Sequence, residues 1–115
     1  MPDDAEFRES RRSTRVRLKV TIALEGDGEG LRCEAETIVV NLHGALLSTA
    51  APLRIGTKIT IHVYLTDKRG AARVVYVDPE NPLRAGIELD QPRNVWGVPL
   101  PPSDWDDTAA FLAAH

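Results

Sequence analysis

Arg17-Leu18-Lys19-Val20-Thr21-Ile22-Ala23-Leu24 sets the rhythm that decides the fold. Leu18, Val20, Ile22 and Leu24 fall on one face and polar or small residues on the other, the period-two signature of a half-buried strand. The strand stops at Glu25-Gly26-Asp27-Gly28-Glu29-Gly30, where three glycines alternate with three acids and predict a loop. Working outward, Leu31 to Val40 reads as a second strand ending in the apolar run Thr37-Ile38-Val39-Val40. Asn41-Leu42-His43-Gly44 reads as a turn, and Ala45-Leu46-Leu47-Ser48 as a third strand. After a loop at Ala51–Gly56, alternation returns in Lys58–Leu65, with Ile59, Ile61, Val63 and Leu65 on the apolar side. Asp67-Lys68-Arg69-Gly70 predicts a hairpin turn into a partner strand over Ala71–Val77. Asp78-Pro79-Glu80-Asn81-Pro82 predicts another turn, and Arg84–Leu89 the sixth strand.

Six short strands at nearly even spacing, with polar turns between them, imply an all-β chain: a six-stranded antiparallel barrel or sandwich. Beyond Leu89, Trp96, Leu100 and Trp105 stand among Pro99, Pro101 and Pro102, and the prolines exclude a regular strand. Ser103 or Asp104 could cap a short C-terminal helix reaching about Phe111. The expected organisation is therefore a flexible, arginine-rich arm over 1–16, a barrel over 17–90, and a tryptophan- and proline-containing tail with its helix over 91–115.

Composition narrows the function. At 115 residues the chain has room for one core but not for a second lobe closing over a substrate. With 43% hydrophobic and 27% charged residues it reads as a soluble globular protein. It has neither the apolar run of a membrane span nor that of a secretory signal, so the cytoplasm is the expected compartment. Cys33 is the single cysteine, which excludes an internal disulfide and a cysteine-based zinc site; its surroundings suggest an unreactive strand thiol. His62 lies mid-strand opposite the apolar stripe and reads as a surface residue. No nucleophile–base spacing, zinc-protease motif or phosphate loop is visible. The chain reads as a binding module, with no enzymatic activity and no metal site expected. Only Tyr64 and Tyr76 put aromatics on the strands, too few to stack the bases of a nucleic-acid polymer.

The net charge of −3 hides a strong asymmetry. Arg8, Arg11, Arg12, Arg15, Arg17 and Lys19 share a 12-residue window with only one acid, Glu9. Arginine guanidinium groups bind phosphate bidentately, stack on purines and donate twice to guanine. A basic segment just before a strand could close over a compact anionic ligand; the competing reading is a solvated tail paired loosely with Asp3, Asp4, Glu6 and Glu9.

Three elements in order resemble the PilZ domain family. Arg11-Arg12-Ser13-Thr14-Arg15 matches the family's RxxxR through Arg11 and Arg15. Asn41-Leu42-His43-Gly44-Ala45-Leu46-Leu47 stands at the place of its [D/N]xSxxG turn, and Gly86-Ile87-Glu88-Leu89 resembles its last strand. His43 occupies the serine position, and aligning Gly44 with the motif glycine shortens the turn by two residues. The resemblance implies a PilZ-like barrel that acts as a receptor for the bacterial second messenger cyclic di-GMP. Arg11 and Arg15 would hold guanine and phosphate with Arg12 assisting, Asn41 and His43 would bond from the turn, and Gly44 would allow close approach. A protein partner downstream is implied as well. The alternative within the resemblance is a degenerate domain that has lost the nucleotide and binds protein. Its contact surface would lie around Trp96 and Trp105, unless both tryptophans pack the tail against the barrel mouth.

Overall fold

The computed structural model describes residues 14–26, 31–103 and 105. Seven strands form: β1 (Val16–Arg17), β2 (Thr21–Gly26), β3 (Arg32–Val40), β4 (Gly44–Thr49), β5 (Lys58–Val63), β6 (Lys68–Asp78) and β7 (Asn81–Leu89). The sheet order is β1-β3-β2-β5-β6-β7-β4, every pair antiparallel, and β3 also pairs with β4. That last pairing joins β2 through β7 into a closed six-stranded barrel, with β1 added beside the end of β3. Closure removes the free strand edges that an open sheet of this size would expose. The inward parity is the one the alternation predicts: Ile22 and Leu24, Leu47, Ile59, Ile61 and Val63, Val74, and Ile87 are all buried in a single core.

The predicted first strand divides into two. Arg17 pairs with Val39 and Thr21 with Glu36, so three residues, Leu18-Lys19-Val20, face only Thr37 and Ile38. The additional residue makes a bulge. Thr37, 1% exposed, fills the gap: its hydroxyl donates to the Leu18 carbonyl at 2.5 Å and accepts from the Val20 amide at 2.9 Å. Leu18 and Val20 are consequently half-buried instead of fully in the core. Thr37→Val, which keeps the shape and removes the hydroxyl, is expected to cost about 2 kcal/mol because two backbone groups lose their partner. Urea unfolding with an unchanged m-value checks this.

The hairpin turn also falls earlier than the glycine suggests. β5 ends at Val63, the turn is residues 64–67, and Lys68, Arg69 and Gly70 belong to β6. Leu65, expected in the core, is 69% exposed. Asp67 supplies the left-handed conformation (φ 55°) that closes the turn, a region aspartate tolerates better than most residues. Thr66 fixes it from the other side, donating its hydroxyl to the Val95 carbonyl at 2.9 Å. The β6–β7 turn tightens in the same way. Asp78 pairs with Asn81 across Pro79-Glu80, and β7 begins three residues before the predicted Arg84.

After β7 the chain caps one end of the barrel. The Asn94 side-chain oxygen accepts from the Gly97 and Val98 amides, and its Nδ2 donates to the Val98 carbonyl. Gly97 sits at φ 87°, a left-handed conformation suited to glycine. Val95, Trp96 and Val98 are buried, Trp96 completely. Trp105 is 3% exposed. The two tryptophans therefore pack the tail onto the barrel, the second of the two expectations for them, and neither ring is an exposed anchor for a partner. The Trp105 backbone amide donates to the Pro102 carbonyl at 2.9 Å, and the expected C-terminal helix falls, but for Ser103 and Trp105, outside the described residues. No helix among the described residues is long and apolar enough to cross a membrane.

Candidate ligand-binding cleft

The turn between β3 and β4 is tied down by hydrogen bonds from within and from neighbouring elements. The Asn41 side-chain oxygen accepts from the His43 and Gly44 amides, each at 2.8 Å. The Asn41 amide donates to the Gly44 carbonyl at 2.9 Å. This is the Asx turn that favours asparagine at such a corner. The remaining carbonyls point to other elements. His43 O accepts from the Leu89 amide (2.7 Å), Leu42 O from the Arg93 amide (3.0 Å), and Asn41 O from the Trp96 indole (2.9 Å). Leu42 is buried and helps anchor the loop from below.

Gly44 opens β4 directly opposite Glu88. A Cβ built there would lie 2.0 Å from the Ile87 carbonyl oxygen. Glycine is required at this position by the approach of β7, a reason the sequence reading did not supply. Asn41 is buried and its oxygen is committed to the turn, so its clearest role is to shape the loop.

Arg15, the second arginine of RxxxR, comes to the same place. It lines one cleft with Asn41, His43 and Gly44, and the cleft continues onto Val75 and Glu88. The sequence signalled Arg15 and the turn but not Val75. That residue follows buried Val74 and faces outward by the alternation of β6, beside the irregularity between Val74 and Tyr76 in the β6–β7 register. Glu88 belongs to the Gly86-Ile87-Glu88-Leu89 stretch of β7. Arg11 and Arg12 lie outside the described residues. The cleft is open to solvent and holds about 50 Å³, room for a few water molecules and far less than a nucleotide.

The other sequence-marked groups sit apart from this cleft. His62 is partly buried on the outer face of β5, with Nε2 2.8 Å from Asp67 Oδ1 and its ring edge-on to Tyr64. Burial pushes the Cys33 thiol up from its ordinary pKa, against smaller opposing effects of the Ala51 and Ala50 backbone. A raised thiol pKa means less thiolate at neutral pH, in keeping with an unreactive strand cysteine.

No curated protein matches the chain. The family model of the PilZ domain matches residues 9–95, a span that includes both RxxxR arginines, the Asn41–Gly44 turn and every strand of the barrel. That family comprises cyclic di-GMP-binding domains that act as receptors and adaptors, not as catalysts. With most of its length covered by that match and a closed six-stranded antiparallel barrel as its fold, the chain belongs to the PilZ domain family.

Proposed function

We propose that this protein is a cyclic di-GMP receptor module of a bacterial cytoplasmic signalling pathway, passing its ligand state to a protein partner. The observation that carries the reading is the convergence of Arg15 with the Asn41–Gly44 turn on one cleft. Arg15 would engage a phosphate or guanine from one side and the His43 imidazole would donate to phosphate from the other. Arg11 and Arg12 would come over the ligand on the preceding segment, consistent with a cleft too small to enclose a nucleotide by itself. The bidentate fork of arginine suits both guanine and phosphate.

One specific observation favours a second reading. The His43 and Gly44 amides, which a turn of this kind could offer to an anion, are already taken by Asn41. With the turn satisfied internally, the domain could have given up the nucleotide and serve as a protein-interaction module. Isothermal titration of the full chain with cyclic di-GMP separates the two. Saturable heat at micromolar ligand is expected; its absence well above that concentration would leave the interaction module standing.

A further inference from the structure

The two tryptophans of the tail do more than fill the core. Each donates its indole N–H to a backbone carbonyl: one belongs to Asn41, which lines the cleft, and the other to Thr14, the residue before Arg15, which lines it too. Trp96 Nε1 donates to Asn41 O at 2.9 Å, holding the root of the turn. Trp105 Nε1 donates to Thr14 O at 2.7 Å, holding the peptide directly before Arg15. These bonds span 55 and 91 residues of chain, so neither carbonyl is held by local structure alone. Thr14 and Arg15 lead directly into β1, so the bond to the Thr14 carbonyl acts at the root of the strand that Arg15 precedes. The tail between the indoles is well suited to hold a fixed span. Asn94 locks its start, Val98 is buried, and Pro99, Pro101 and Pro102 restrict the segment leading to Trp105.

We infer that the tail is a cross-brace between the two walls of the cleft, and that Trp105 is a positioning residue for the ligand. It acts through the Thr14 carbonyl to aim Arg15 at the turn that Trp96 holds. This inference rests on the receptor reading for its ligand. Because coupling between two equilibria is reciprocal, ligand that fixes Arg15 must also tighten the seating of Trp105. Occupancy of the cleft is thereby transmitted to the C-terminal tail.

Trp105→Phe, which keeps an aromatic ring and deletes the N–H, tests the brace in the full-length protein. Amide hydrogen exchange without ligand is expected to rise about three- to tenfold at Arg15–Arg17, the worth of one hydrogen bond, and to stay unchanged in β5. The affinity for cyclic di-GMP is expected to fall by a similar factor. A ring that merely filled space would raise exchange throughout the barrel when lost. A uniform rise, unchanged exchange at Arg15–Arg17, or a local rise with undiminished affinity would each overturn the inference. If the wild-type protein takes up no nucleotide but the local exchange effect is present, the receptor reading fails while the brace between tail and arm root stands. Should the variant not fold, the wild-type protein serves instead. Saturating cyclic di-GMP is expected to slow exchange of the Trp105 indole proton, and an unchanged rate would overturn the coupling.

Discussion

Gly44→Ala is expected to destabilise the barrel by about 3 kcal/mol or more, lowering Tm by about 15 °C in a domain of this size. The added methyl would sit 2.0 Å from the Ile87 carbonyl oxygen, well inside contact distance, and the obstacle is backbone, which cannot rotate away. Relief requires β4 and β7 to part at the Gly44–Glu88 pair, where their ladder begins. The same movement would loosen the Leu89 amide from the His43 carbonyl and disturb the turn that faces Arg15. Gly70→Ala is the control. Its methyl would meet only the Leu89 side chain, at 3.7 Å, and the change should shift stability little. Thermal unfolding of the two variants side by side decides the matter; equal midpoints would mean that β7 does not constrain the turn as described.

Arg15→Ala is expected to weaken cyclic di-GMP binding by about 10- to 100-fold, the loss of a charged donor from a ligand contact. Arg11→Ala should act similarly, since both belong to the RxxxR pair. Arg15→Lys retains the charge but not the planar fork, and is expected to recover only part of the affinity. Arg54→Ala, in the exposed loop before β5, removes a cation that does not line the cleft and should bind as the parent does. Titration calorimetry reads all four variants. Wild-type affinity in Arg15→Ala would remove the cleft from consideration as the nucleotide site, whatever the parent protein binds.

The legibility of this fold follows from where each instruction is stored. Ile59, Ile61 and Val63 announce their strand because side chains alternate by the geometry of the backbone itself, and the same holds for Ile22 and Leu24. Strand ends were read less well. The bulge at Leu18–Val20 depends on the Thr37 hydroxyl from the facing strand, and the turn at 64–67 depends on Thr66 reaching the Val95 carbonyl. Neither partner is near in sequence, so a local pattern carries no trace of them. The site divides along the same line. Arg15 and Asn41–Gly44 were visible as residue types suited to an anion and a tight corner. The reason for Gly44 was not, because the Ile87 carbonyl that demands it comes from another strand. The tryptophans were visible as large apolar rings, but nothing in the tail's composition tells which carbonyl an indole N–H will find.

The sequence by itself determined the all-β class, the six barrel strands, the concentration of arginine before the first of them and the PilZ family's motifs in order. These are properties of short windows, where alternation and residue chemistry act directly. Only the tertiary structure decided that Arg15 and the Asn41–Gly44 turn share one cleft, that the turn's amides are satisfied from within, and that Trp96 and Trp105 tie the tail to both walls. Barrel closure brings β3, β4 and β7 side by side and carries the tail back across the arm's root, and hydrogen bonds between residues so far apart in the chain exist only once that closure has formed.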